Sequence, residues 1–430
     1  MIWYPFTPQN GALNPILIQR GEREYLYDEN GKAYIDAVAS WWTMAHGHNH
    51  PAIMNAIREQ TQKLDHVMLA DFTHEGALSL AEKLLTSTKK KFTHVFYSDN
   101  GSTAVEAMLK LAVQYWSNEG HPAKNQFIKF DVNYHGDTVG AMATAAPSVF
   151  NRVFSPLLFH APCFRYPRVG EDTLNAQMLI ALEEYLEKNQ EEIAALILEP
   201  LIAAAGGMVF ECTDALNTIA ALAQKYNVLL LFDEVFTGMG RTGEMFAYQK
   251  AGVVPDILAL AKGLTGGTLP LAATLVNARV HRAFQTDDPL KTFYHGHTMT
   301  GNPIAVSAAL ASIQIFEKEN TLQYVQALEQ KMQLLCSRLT KKFPQRIKNV
   351  RVLGAVAAID IVASGEEGYV FSYAKEIKAQ AFREGVILRP LGNVLYVTPP
   401  YRISDAALEK TFLVIEEILE NYAVDHPKFD

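Results

Sequence analysis

The sequence predicts an α/β fold: a large domain with a mostly parallel sheet covered by helices, plus a small α+β domain. Three observations carry this. At 430 residues the chain exceeds the usual span of a single hydrophobic core, so two domains are expected. From about residue 51 short apolar runs alternate with helical patterns, and near-continuous apolar strands between helices imply a sheet buried on both faces. After about residue 303 the pattern changes to long helices followed by mixed strands. The expected division is an N-terminal segment, 1–50, joining the small domain; a large domain, 51–303; and a C-terminal small domain, 304–430.

In chain order, "EYLYD" and "KAYIDA" flank "ENG", a hairpin whose Asn-Gly pair suits a turn with positive φ. Pro51 marks the first helix of the large domain. Strands are expected at "THVFYSD", "NQFIKFD", "AALILEP", "VLLLFDE" and "DILALAK". Helices are expected at "TAVEAMLKLAVQYW" and "DALNTIAALAQKYN", and Thr103 and Glu106 have capping-box spacing. The small domain holds the strands of "RVLGAVAAIDIV" and "GVILRPLGNVLYVTPP" and a final helix.

Bulk composition excludes several classes. With 38 basic against 46 acidic residues and no long basic run, the chain lacks what phosphate neutralisation by a nucleic-acid binder requires. Cys163, Cys212 and Cys336 are few and scattered, which fits a reducing compartment. The start "MIWYPFTPQN" has no signal-peptide pattern, and the longest apolar stretch is interrupted by Glu199, Pro200 and two glycines. A cytoplasmic protein with no membrane span is expected.

The chemistry lies where buried strands end in charge. "VLLLFDEV" stops at Asp233 and Glu234, and "DILALAKGLTGG" runs into Lys262. Ligands of open α/β sheets bind beyond the carboxyl ends of the strands. A lysine in apolar surroundings has its ammonium destabilised, which exposes the nucleophilic amine. A carboxylate nearby can hold a heterocyclic nitrogen protonated, and this lysine–carboxylate pair is what pyridoxal phosphate (PLP) needs. "YSDNGSTAVEAMLK" supplies a strand, a turn at Gly101 and Ser102 at a helix start, where free N–H groups favour an anion. "NYHGDT" offers Tyr134 as an aromatic face for the cofactor ring. The alternative from another class is "GMGRTG", which matches a dinucleotide fingerprint and would make the chain an NAD(P)-dependent oxidoreductase. It does not sit directly between a strand and a helix, and no convincing long helix follows.

On "DNGSTAVEAMLKLA", "YHGDT", "ILEP", "LLLFDEVFTGMGRTG", "PDILALAKGLTGG" and "HGHTMTGNP", in this order, the chain resembles the class-III aminotransferases over essentially its full length. The resemblance implies a fold-type I PLP-dependent transferase, a homodimer with shared active sites. Carried across, Lys262 is the lysine that binds the cofactor aldehyde, Asp233 the pyridinium partner and Tyr134 the stacking residue. Gly101, Ser102 and, from the other subunit, Thr298 are implied phosphate contacts. Glu199 and Arg241 occupy family positions around the site, with an intramolecular ion pair as the alternative reading.

"IWYPFT", "SWWTMAHGHNHP", "HVMLADFTHE" and "ILRPLGNVLYVTPPY" narrow the resemblance to the branch that aminates 8-amino-7-oxononanoate (KAPA) to 7,8-diaminononanoate in biotin synthesis. It implies that Trp41, Trp42, Tyr396, Gly296 and Phe6 line the substrate pocket and that Arg389 takes the distal carboxylate. Each methylene of so long a chain is worth about 0.8 kcal/mol on burial, and one guanidinium can grip the far end bidentately. S-adenosylmethionine is the expected amino donor, on Trp41, Trp42 and Tyr396. Phe6 and "HGHTMTGN" lean to lysine, the alternative. A broader ω-amino-acid or amine:pyruvate aminotransferase would share every cofactor residue. His46, His48 and His50 alternate with metal-like spacing but precede a helix in relatives that need no metal, and no metal is expected.

Overall fold

The computed structural model describes residues 2–9, 15–362, 371 and 373–422. An antiparallel ladder opens the chain: β1 (Ile18–Glu22), β2 (Tyr25–Asp28) and β3 (Ala33–Asp36). The β2–β3 turn passes through Gly31 at φ +81°.

The large sheet contains β4 (His94–Ser98), β5 (Gln126–Phe130), β6 (Cys163–Phe164) and β7 (Ile193–Leu198). A short hairpin of β8 (Ile202–Ala203) and β9 (Val209–Phe210) interrupts the series before β10 (Leu229–Asp233), β11 (Ile257–Leu260) and β12 (Ala272–Val276) complete it. The spatial order is β4-β12-β11-β10-β7-β5-β6. β12 runs against both neighbours, while the other four pairings are parallel. All five expected large-domain strands form. β6 and β12 were not among them: β6 is two residues long, and β12 (AATLV) opens on two alanines of low strand propensity.

The continuous apolar runs have a direct cause. Alternate residues of one strand enter two different cores. Leu229 and Leu231 of β10 pack with Val105, Met108 and Ile257, whereas Leu230 and Phe232 pack with Leu196, Leu258 and Leu260. A strand buried on both faces has no solvent side on which to place a polar residue.

The helix Gly101–Asn118 begins differently from the expected capping box. Asn100, in extended conformation, is the N-cap; its side chain accepts the Thr103 N–H at 3.1 Å and its own N–H donates to Thr103 Oγ1 at 3.1 Å. Thr103 is already inside the first turn, so Glu106 is released from capping. It accepts the N–H groups of Gly140 at 2.7 Å and Ala141 at 3.1 Å, tying this helix to Val139–Thr144.

Beyond the helices Pro303–Lys318 and Thr321–Lys342 lie β13 (Ile347–Leu353), β14 (Val356–Ile361), β15 (Val386–Ile387) and β16 (Val394–Val397), then the helix Asp405–Asn421. β13, β14 and β16 form one antiparallel sheet, but β15 pairs in parallel with β3, with Ile387 opposite Asp36. The residues that follow these two strands therefore leave the ladder side by side. Among the described residues no helix is long and apolar enough to cross a membrane.

One buried acid beside the β8–β9 hairpin makes stability depend on pH. Glu211 accepts the Leu201 N–H at 2.8 Å through Oε2, while Oε1 is buried without a partner among the described residues. Burial pushes its carboxyl up to about 8, with the Leu201 bond opposing. A folded-state pKa above the unfolded one gives stability that is complete below the unfolded pKa and lost as pH rises through the folded one. The wild type should melt at a lower temperature at about pH 9 than at about pH 6, and Glu211→Gln should remove up to about 3 kcal/mol of that loss. Parallel melting-temperature profiles for the two proteins would contradict this.

Candidate active site

The carboxyl ends of the parallel strands converge on a cavity of about 530 Å³. Gly101 and Ser102 follow β4, Tyr134 follows β5, Glu199 follows β7, Asp233 ends β10 and Lys262 follows β11; all line the cavity with Trp42.

Lys262 is held in a strained, left-handed backbone conformation, φ +46°. Its Nζ lies 4.8 Å from the centroid of the Trp42 ring and 5.9 Å from that of Phe236. Burial pushes its ammonium below the ordinary lysine range, although Asp233 and Glu199 pull the other way. An amine so placed can act as a nucleophile and then as a proton carrier.

Asp233 is oriented from two sides. Its Oδ1 accepts the Val235 N–H at 3.0 Å, and its Oδ2 lies 2.8 Å from Nδ1 of the buried His135, which donates when that nitrogen carries the hydrogen. Sequence reasoning did not single out His135; its Nε2 is buried and, among the described residues, unpartnered. The neighbouring acid plays a different part. Glu234 accepts the N–H groups of Ala247 at 2.6 Å and Tyr248 at 2.7 Å, seating the helix Ala247–Ala251. Glu199 accepts the N–H groups of Tyr134 at 2.9 Å and Ala204 at 3.2 Å. Burial, reinforced by Asp233, raises its carboxyl to about 7. It forms no ion pair with Arg241, which is buried and donates to the carbonyls of Pro399 at 3.0 Å and Trp42 at 3.3 Å.

The N-terminus of the helix Gly101–Asn118 faces the cavity, leaving the first-turn N–H groups of Gly101 and Ser102 for an anion. Two glycines make this corner possible. A Cβ on Gly101 would come within 2.7 Å of Val235 Cγ1, and one on Gly136, at φ +119°, within 1.9 Å of Ser102 Oγ.

The tryptophan pair occupies an uncommon conformation. Ala39, Ser40, Trp41 and Trp42 have φ of +48°, +45°, +70° and +72°, so the turn Ala39–Trp42 is left-handed. Such a conformation costs L-residues about 1–2 kcal/mol each. Trp42 is buried against Phe236, 5.0 Å between centroids, and Tyr396, 6.0 Å. Trp41 is partly exposed and meets Phe6 at 5.3 Å, while the Arg389 guanidinium stacks on it at 4.4 Å. The β3–β15 pairing brings Trp41 and Arg389 together. Phe150, also missed by the sequence reading, joins Phe6 (5.9 Å) to Tyr134 (6.0 Å), so an aromatic path leads from the cavity to Arg389.

Not every expected residue lines the cavity of its own chain. Tyr396 is buried behind Trp42, Phe6, Trp41 and Arg389 stand outside it, and Gly296 and Thr298 are exposed on a loop. The three histidines diverge. His46 Nε2 meets Ser312 Oγ at 3.1 Å, His48 Nε2 meets Asp36 Oδ2 at 2.8 Å, and His50 Nε2 meets Glu319 at 3.3 Å. Burial drives the His46 pKa down to about 3.

The chain is similar to known proteins along nearly its whole length. The sequence profile described as aminotransferase class-III matches residues 7–419. An adenosylmethionine-8-amino-7-oxononanoate aminotransferase of Synechococcus elongatus is 40% identical over 97% of this chain and 98% of its own. The crystal structure of the enzyme of that name from Methanocaldococcus jannaschii superposes with a TM-score of 0.89 at 35% identity, covering 97% of each chain. An amine transaminase from an uncultivated Pseudomonas species, in its PLP-bound form, superposes with a TM-score of 0.92 at 29% identity, covering 97% of this chain and 98% of its own.

The crowding at Gly101 gives a test. Gly101→Ala should push Val235 away and with it the Val235 N–H that orients Asp233. We expect the dissociation constant for PLP, titrated into cofactor-free protein, to rise by about tenfold, the equivalent of one lost hydrogen bond. An unchanged constant would mean that the close approach of Gly101 has no part in the anion corner.

Proposed function

We infer the reaction from a premise that the comparisons supply: the chain belongs to the class-III aminotransferases. It is a PLP-dependent aminotransferase, and it converts KAPA to 7,8-diaminononanoate, the step that serves biotin synthesis. S-adenosylmethionine is the amino donor, as the names of its relatives indicate. The observation that carries the substrate is Arg389, which stacks on Trp41 and makes no ion pair among the described residues. It stands at the far end of the aromatic path from Lys262, where a long keto acid would place its carboxylate.

The residues present fit PLP: a half-buried amine, an oriented carboxylate, an aromatic side chain and an anion corner share one cavity. When bound, the cofactor supplies the electron sink that disperses charge from the reacting carbon. The chain's own residues do the rest. Lys262 holds the cofactor, then moves the proton at the carbon bearing the amine, for which a depressed pKa suits it. Asp233, fixed by His135 and Val235, would pair with the cofactor's ring nitrogen. Tyr134 would cover the ring and Gly101 and Ser102 would take the phosphate, while Trp42 and Phe236 shield one side of Lys262 from water. Trp41, Trp42, Phe6 and Tyr396 build the wall along which the methylenes lie, Tyr396 from behind Trp42.

We also propose a homodimer in the cytoplasm. Gly296 and Thr298 stay outside their own cavity on an exposed loop, as residues serving a second protomer would, and exposed apolar side chains such as Met68, Phe72, Leu290 and Met299 would be covered there. Cys163, Cys212 and Cys336 are free thiols.

Two measurements test this reading. Lys262→Ala should lose both the visible absorbance of the bound cofactor and turnover with KAPA; wild-type activity in that variant would sink the assignment. Arg389→Met should raise the KM for KAPA by about a hundredfold, the range of a charge-assisted bidentate contact, and change kcat much less. Parallel assays with S-adenosylmethionine and lysine identify the donor, and ready turnover of short amines with poor use of KAPA would favour a broad ω-aminotransferase instead.

A further inference from the structure

We infer that Asp36 is a positioning residue for the substrate wall: together with Ser40 and His48 it holds the left-handed turn that sets Trp42 against Lys262 and Trp41 against Arg389. The kinetic side of this rests on the KAPA reading above; the geometric side does not.

A run of left-handed L-residues crowds each Cβ against the following carbonyl, so such residues normally occur singly, and they persist only where the surroundings impose them. No glycine or asparagine lies between Val38 and Thr43 to relieve the strain. The turn's own bonds, from the Trp42 N–H to the Val38 carbonyl (2.9 Å) and from the Thr43 N–H to the Ala39 carbonyl (2.8 Å), span four residues as any helical turn would and do not select its hand.

The fully buried Asp36 does select it. Its Oδ1 accepts the Ser40 N–H at 3.0 Å, and its Oδ2 accepts the Ser40 hydroxyl at 2.7 Å. Both oxygens therefore grip the same residue, in the middle of the strained run. Oδ2 also meets His48 Nε2 at 2.8 Å. His48 is itself anchored, donating its N–H to the Arg23 carbonyl at 2.6 Å and accepting the Arg23 N–H at 3.0 Å. Asp36 ends β3, opposite Ile387 of β15, so the clamp fixes the turn to the strand pair from which Arg389 emerges.

None of the three clamp residues lines the cavity, so their action passes through the tryptophans. It matters because no side-chain hydrogen bond fixes the pair: the buried Trp42 Nε1 has no hydrogen-bond partner among the described residues, and Trp41 is partly exposed. Their orientation is inherited from the backbone.

The test compares Asp36→Ala with the double variant Asp36→Ala/Ser40→Gly. Glycine has no Cβ to oppose the left-handed region, so the turn that carries it at the clamped position depends less on the clamp. In Asp36→Ala we expect the KM for KAPA to rise about tenfold with a smaller change in kcat. In the cofactor-free protein the tryptophan bands of the near-ultraviolet circular dichroism spectrum should weaken. The double variant should recover most of both. Unchanged KM and spectrum in Asp36→Ala would overturn the proposal. So would a defect, of folding or of binding, that Ser40→Gly fails to repair, because Asp36 would then act by some route other than the hand of the turn. If the wild type itself does not use KAPA, the substrate reading fails, and the near-ultraviolet comparison still decides on the clamp.

Discussion

Lys262 is half-buried against Trp42 and Phe236, where an ammonium is poorly solvated, and the site is organised around that constraint. A lone buried cation is costly, and a protein meets the cost by neutralising the group or by pairing it. Here the balance tilts toward the neutral amine: burial outweighs the attraction of Asp233 and Glu199. Asp233 is occupied by His135 and Val235, and Glu199 by backbone N–H groups, so neither carboxylate is given over to a direct salt bridge with the lysine. The acids stay near enough to tune the amine and remain available for a ligand.

A second constraint comes from the substrate side. The wall belongs to a turn in an unfavourable backbone region, and parts of the chain far apart in sequence meet to hold it. Arg241 caps the Trp42 carbonyl while also binding that of Pro399. A Cβ on Gly267, in the loop after Lys262, would come within 2.5 Å of the Thr43 carbonyl, so lysine loop and tryptophan turn pack directly together. Strain in one and burial in the other are thus borne by the same contacts.

Much of this was legible in the sequence, for physical reasons. Strands buried on both faces leave long apolar runs, so the charges at their ends, Asp233 with Glu234 and then Lys262, stood out. Pro51 announced its helix because its missing N–H suits the first turn. Other features carry no local signal. The left-handed turn has no glycine to mark it; Asp36, which grips Ser40 four positions on, is set for this by the buried strand end and by His48. His135 looks like any turn histidine until the fold sets it against a residue 98 positions away. Phe150 gains its place only when Tyr134 and Phe6 are brought to either side of it. The capping box was misplaced because Thr103 serves equally well as a cap and as the partner of one, and only the helix start distinguishes the two.

The central claim is that burial keeps the Lys262 amine neutral more readily than any solvated lysine. The most direct measurement is a pH titration, by NMR, of ε-13C-labelled lysines in the cofactor-free protein, assigned with Lys262→Gln. One signal, absent from that variant, should have a midpoint clearly below the ordinary lysine value of about 10.4. A Lys262 signal titrating at or above that value would contradict the claim.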